Sequence, residues 1–236
     1  MMDAFSGVTE FVRMTEARVH DRKFLYNLKL PRNSWVVFDK AYTVYPQFAS
    51  WTDQKIWFVT RMKDNAKLHV TKVLMDKTKK KNPKGVLKEQ YVTGAVKVRG
   101  VEIQRLKLRR ILYKTEDNKV YWYITNNFTL PAIQIATVYK NRWMIELLFK
   151  QLKQNFPLRY FWGESPNAIK MQVYCVLIAQ LLMVVIRKKA ATKKSFANMI
   201  TVIRLHLTSY VDLLEFIRDT YKAWRKTDNA SFAFSP

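Results

Sequence analysis

The hydrophobic pattern of this chain changes its period twice, and the order of those changes limits the folds open to it. In "SWVVFDKAY", Trp35, Val36, Val37 and Phe38 form a short continuous apolar run that stops at Asp39, the pattern of a strand buried on both faces. "YPQFASWTDQ" then reads as a short helix and "KIWFVTRMK" as a second buried strand, the spacing of a βαβ unit. "VRMTEARVHDRKFLYNLKL", before them, supplies one strand end and one helix.

After Met62 the text alternates. "LHVTKVLM", "KEQYVTGAVKVRG", "VEIQRLKLRRILYK" and "KVYWYITNNF" are set apart by the turn signals "KNPKG", "RG" and "EDNK", as expected of an antiparallel β insertion. Helical text resumes at Leu130 and runs through Lys153, then from about Pro166 to Arg187 and from about Lys194 to Trp224. The chain therefore reads as α/β, then β, then α. Its segments are residues 1–62, the first part of a core; 63–128, a basic β insertion; 129–190, the second part of the core; and 191–236, carboxyl-terminal helices, with a frayed "SFAFSP" tail.

Charge narrows the partner. Lys and Arg number 42 against 18 Asp and Glu, a formal charge of +24 in 236 residues, which points to a polyanion and first to nucleic acid. The start "MMDAFSGVTEF" lacks a signal-peptide pattern. "VYCVLIAQLLMVVI" is interrupted by Gln180 and is shorter than the roughly 20 residues of a membrane span, so it reads as a buried helix with Cys175 as a buried thiol. A single cysteine permits no internal disulfide, and with His20, His69 and His206 scattered no zinc-finger spacing exists. Any metal would rest on carboxylates, which suit Mg²⁺ or Mn²⁺. A reducing, cytoplasmic setting is expected, with no membrane partner.

One acid stands apart in "YKNRWMIELLFKQLK". On a single helix at about 100° per residue, Tyr139, Arg142, Glu146 and Lys153 fall within a stripe roughly 60° wide. Ile145, Leu148, Leu152, Met144 and Phe149 fill the adjacent sector and would pack on a core. Arg142 and Glu146 alone would be an ordinary i,i+4 helix pair. Asp39, at the carboxyl end of a buried strand, adds a second acid where α/β sheets hold ligands. Two acids close together suit a divalent cation, which removes their repulsion.

"FDKAY" followed far downstream by Tyr139, Arg142, Glu146 and Lys153 in Tyr-x2-Arg-x3-Glu-x6-Lys spacing resembles the signature of DDE transposases of bacterial insertion sequences, the group with a β-rich insertion before the last acid. "WFVTRMKDNA" and "YITNNF" resemble the stretches leading into and out of that insertion. The resemblance implies an RNase H-like core of the retroviral-integrase superfamily. It implies Asp39 and Glu146 as second and third catalytic acids binding Mg²⁺ or Mn²⁺, with Tyr139, Arg142 and Lys153 contacting DNA. It further implies DNA strand cleavage and strand transfer at inverted-repeat ends and into target DNA, by a homodimer in a paired-end complex. The family's first Asp has no match in the 38 residues before Asp39. The resemblance is therefore to the carboxyl-terminal part, an amino-terminally truncated core without its first acid, and the alternative is a non-catalytic DNA-binding fragment.

Further DNA contacts are expected on the insertion. Trp122 resembles a tryptophan that stacks on a flipped base in some relatives; packing among Tyr121, Trp122 and Tyr123 is the other reading. Arg105, Lys107 and Arg109 alternate with Leu106 and Leu108, so one strand face would be basic and the other buried. "DKTKKKNPK", residues 76–84, is either a phosphate contact or a solvated loop. Asp212, Glu215 and Asp219 imitate a metal site but read as the acidic face of an amphipathic helix, and His20 and Asp21 lack the further histidines a hydrolase would need.

Overall fold

The computed structural model describes residues 1–3, 9, 10, 12, 14, 21–78, 84–156, 158, 160–206, 212–219, 222 and 223. His20, most of the 76–84 lysine run, Trp224 and the tail lie outside the described residues. The chain separates into two compact units, Thr15–Trp143 and a second made of Met1–Met14 with Met144–Pro236.

The first unit is a mixed six-stranded sheet. Its strands are β1 (Trp35–Phe38), β2 (Trp57–Arg61), β3 (Leu68–Asp76), β4 (Gly85–Val98), β5 (Val101–Lys114) and β6 (Val120–Thr125), in spatial order β1-β2-β6-β5-β4-β3. β1 and β2 are parallel, joined through helix α1 (Tyr45–Asp53), and every other pairing is antiparallel. The strand-helix-strand reading and the four β segments are thus present. They form one sheet, because β6 pairs with β2 and continues the core sheet into the hairpins.

Asn126 helps join them. Its side chain accepts from the Phe58 amide and donates to the Ile56 carbonyl and the Thr52 hydroxyl, tying the end of β6 to β2 and α1. Buried amides left without such partners would cost about 1–3 kcal/mol each. One face of the sheet holds the larger core: Phe48 and Trp51 of α1 pack on Val36, Phe38, Phe58, Val92, Val96, Leu106, Leu108 and Ile124, and the Phe48 and Phe58 rings stack at 4.3 Å. On the other face Val59, Ile111 and Tyr123 receive Ile135, Ala136 and Tyr139 of helix α2 (Ala132–Lys140). β1 alternates, with Val36 and Phe38 buried and Trp35 and Val37 half-buried, so it is less enclosed than a continuous apolar run suggests.

The second unit is helical. Leu148 and Leu152 of α3 (Trp143–Asn155) pack on Val173, Val176 and Leu177 of α4 (Pro166–Ala190). Phe196, Met199 and Ile200 of α5 (Phe196–His206) join Met183, Ala190 and Ile217, the last on α6 (Leu213–Arg218). Ser165 caps α4 by accepting from the Ala168 amide, with Pro166 in the first turn. The expected buried helix is buried on one stripe only. Met171, Tyr174, Ile178, Leu182 and Val185 are exposed, and Cys175 is an exposed free thiol rather than a buried one. By length and composition α4 would suffice to cross a membrane. Two of the three acids of the last helix are caps: Asp212 accepts from the Glu215 amide at 2.8 Å and Asp219 closes the carboxyl end, while Glu215 lies in the first turn.

Candidate nucleic-acid site

Asp39 follows the last residue of β1 and is held by two partners. Its Oδ1 accepts the Ala41 amide at 3.0 Å, capping the short 3₁₀ turn Lys40–Tyr42, and its Oδ2 receives Arg61 Nη2 at 3.4 Å. The parallel register makes the second contact. Phe38 pairs with Thr60, so the residues that follow, one acid and one base, emerge side by side at the carboxyl edge of the two strands. Aligned as "WVVFD" and "WFVTR", the two segments carry this signal, yet Arg61 was not among the expected site residues.

Arg61 is the centre of a group of aromatic and cationic side chains. Its guanidinium lies 4.9 Å from the centroid of the Tyr121 ring, within cation–π range. Burial lowers its pKa, but the neighbouring Tyr139 and Asp39 oxygens more than offset this and raise it above the usual value. Tyr139 is buried, its ring 4.8 Å from that of Tyr123, and Arg142 sits 5.8 Å from the Tyr139 centroid. Burial pushes Tyr123 up to about 12, with Tyr139 adding to the shift. Tyr139 is raised too, first by burial. Asp39, Lys40, Ala41, Lys63, Asp64 and Asn65 line an open depression of about 410 Å³. There Lys40 bonds Asp64 at 3.0 Å and holds that carboxyl below its usual pKa.

The single helix expected through Lys153 is two helices. α2 ends at Lys140, Asn141 and Arg142 form a turn in which the Arg142 amide donates to the Tyr139 carbonyl at 3.0 Å, and α3 starts at Trp143. Tyr139 and Arg142 thus belong to the first unit, while Glu146 and Lys153 belong to the second. Glu146 is half-buried in the first turn of α3 and Lys153 is exposed in its last, charges placed as the helix dipole favours. Ile145, Leu148 and Leu152 form the packed side of α3, whereas Met144 and Phe149 of the expected apolar sector are exposed.

On the insertion, Arg105 and Lys107 are exposed beside buried Leu106 and Leu108, but the alternation stops there. Arg109 was expected on the exposed basic face; instead it is buried, paired with Glu89 at 2.8 Å and donating to the Asn127 and Leu130 carbonyls. The segment between β6 and α2 covers that end of the strand, and Arg109 satisfies its carbonyls. Trp122 is half-buried with the Arg110 guanidinium 4.6 Å from its ring. It lies on the sheet face opposite Tyr121 and Tyr123, because side chains alternate along β6.

Among the described residues no three His, Cys, Asp or Glu side chains gather as a metal cluster. Asp39 nonetheless fits a hard cation. Its side chain is 35% exposed, it offers carboxylate oxygen, and its Arg61 contact is long for a charge-assisted bond.

The chain belongs to the DDE transposase domain family, whose description, Transposase DDE domain, matches residues 1–182. It is 32% identical over 181 residues to a protein of Sinorhizobium fredii named as transposase y4zB, covering 77% of this chain and 50% of that one. It is 26% identical over 150 residues to a protein of Geobacillus stearothermophilus named as a transposase for insertion sequence element IS5377, covering 63% of this chain and 38% of that one. The chain thus spans half or less of the length of these relatives. A cryo-EM structure of a piggyBac transposase synaptic complex with hairpin DNA aligns at TM-score 0.48 and 13% identity, over 92% of this chain and 45% of that one.

Proposed function

We propose that this chain is part of an insertion-sequence transposase that cleaves and joins DNA with a divalent metal. In this reading residues 1–62 and 129–190 build an RNase H-like core, residues 63–128 are its β insertion, and 191–236 are trailing helices. Asp39 and Glu146 are the second and third acids and would hold Mg²⁺ or Mn²⁺. When bound, such ions polarise phosphate and lower the pKa of the attacking hydroxyl. The family membership, together with Asp39 emerging at the carboxyl end of β1 beside Arg61, is the observation that carries the reading.

The remaining roles follow from chemistry already described. Arg142, Lys153, Arg105 and Lys107 would neutralise phosphates. Tyr139, buried against Arg61 and Tyr123, would orient the cation group more than touch DNA, and Arg109 would hold the loop before α2. Trp122 would offer its half-buried indole to a flipped base. Double-stranded DNA at inverted-repeat ends and at the target is the partner, bound by a homodimer on paired ends in the bacterial cytoplasm.

Because the chain spans half or less of its relatives, a second reading stands beside the first: a DNA-binding piece that does not cleave alone. One titration with labelled duplex, followed by Mg²⁺ addition, tests both. Salt-dependent binding and metal-dependent nicking lost in Glu146→Gln support the first reading. Salt-dependent binding without nicking supports the second, and no binding at low salt overturns both.

A further inference from the structure

The β4–β5 hairpin outruns the body of its unit. Val96 and Leu106 are its last buried residues on the two strands, and every residue from Lys97 to Arg105 is exposed. At about 3.3 Å per residue, the free ribbon extends roughly 10–13 Å beyond that buried pair. Its turn has Arg99 at φ 49° and Gly100 at φ 86°, positive at both central residues as a tight two-residue hairpin requires. A methyl group at Gly100 would meet no atom within 4 Å, so the turn stands in open space.

The tip is apolar where a solvated turn would be polar. Val98 and Val101 are register partners and therefore share a face. They are 45% and 66% exposed, and Ile103, an unpaired extra residue in β5, is 59% exposed. Four cations, Lys97, Arg99, Arg105 and Lys107, flank this apolar end against one acid, Glu102. Glu102 is bonded to Arg105 at 2.9 Å, on the surface, where a phosphate can take its place at small cost.

A ribbon tip with Val98 and Val101 on one face and Lys97, Arg105 and Lys107 on the other suits a groove of duplex DNA, where bases line the floor and long cationic side chains reach the phosphates of the rims. The major groove is about 12 Å wide and 8.5 Å deep, admits a two-stranded ribbon, and displays thymine methyls to apolar side chains. We propose that the β4–β5 tip enters a DNA groove, with Val98 and Val101 against base edges and Lys97, Arg99, Arg105 and Lys107 on the flanking phosphates. This rests on the DNA-binding reading above and assigns base contact to a segment more than fifteen residues from Trp122.

The test compares duplex DNA with heparin, a polyanion without bases, using the full chain and V98T/V101T. Threonine keeps the β-branched shape but replaces a methyl with a hydroxyl. The double variant is expected to weaken duplex binding ~5–10-fold at every salt concentration, with an unchanged salt slope and unchanged heparin affinity. Val101→Ile, which enlarges the apolar tip, is expected to raise duplex affinity with heparin again unchanged, and it keeps the test valid should the double variant fold poorly. Equal effects on DNA and heparin, no effect on either, or loss of binding to anionic vesicles in place of DNA would each overturn the inference while leaving the DNA-binding reading in place. A wild-type chain that binds no duplex at low salt overturns both.

Discussion

The Arg61 guanidinium lies 3.4 Å from the Asp39 carboxylate because Phe38 and Thr60 are register partners on parallel strands. Asp39 thus has two separable jobs, a backbone cap through Oδ1 and an ion pair through Oδ2. Asp39→Asn keeps an oxygen for the Ala41 amide and is expected to cost under about 1 kcal/mol, as for a partly exposed pair. Asp39→Ala loses both and is expected to cost about 1–2 kcal/mol. Urea denaturation measures each, and equal losses in the two variants would contradict the division.

Arg109 and its neighbours on β5 should separate folding from binding. Arg109→Met leaves the half-buried Glu89 without its cation and the Asn127 and Leu130 carbonyls without their donor, and is expected to cost about 3 kcal/mol. Arg105→Gln and Lys107→Gln, both at exposed positions, are expected to cost under about 0.5 kcal/mol and to reduce the salt slope of DNA binding by about 1 each. Thermal melts and anisotropy titrations at several salt concentrations read both quantities. A stable Arg109→Met chain would mean that the Glu89 pair is dispensable.

The strands of this protein were open to reading, and the reasons lie in particular residues. "VEIQRLKLRRILYK" is β5 residue for residue, bounded by Gly100 before it and the Thr115–Lys119 turn after it, and "WVVF" and "WFVTR" are the two parallel strands. The buried Arg109 was hidden because alternation along a strand marks a face without saying what covers it, and here the loop at Asn127–Leu130 does. The break at Asn141–Arg142 was also hidden: neither residue is a helix breaker, and the apolar spacing runs on across the turn. Arg61 gave its signal only when two strands were laid side by side, a comparison that single-strand periodicity does not make.

The phenol group gives a pH dependence. Tyr123 keeps its proton to about 12 in the folded chain, whereas an unfolded tyrosine releases it near 10. Between those values the unfolded state binds fewer protons, so the contribution, fully present below pH 10, is lost as pH rises toward 12. Urea midpoints at about pH 9, 10.5 and 11.5 are expected to fall more steeply for the wild type than for Tyr123→Phe. Identical curves would place the titrating group elsewhere.

Gln180 is fully buried on α4, and its Oε1 finds no hydrogen-bond partner among the described residues. Gln180→Met, similar in length, removes a buried oxygen without a partner from an apolar stripe and is expected to raise stability by about 1 kcal/mol. A loss of stability would show that the amide is paired in solution.

Metal binding tests the central claim most directly. Calorimetric titration of Mg²⁺, then Mn²⁺, into the chain is set beside Asp39→Asn and Glu146→Gln, with urea denaturation confirming that all three are folded. The account predicts binding by the wild type and its loss in both variants. Binding retained in either variant, or none by a folded wild-type chain, would contradict the assignment of Asp39 and Glu146 to one metal site.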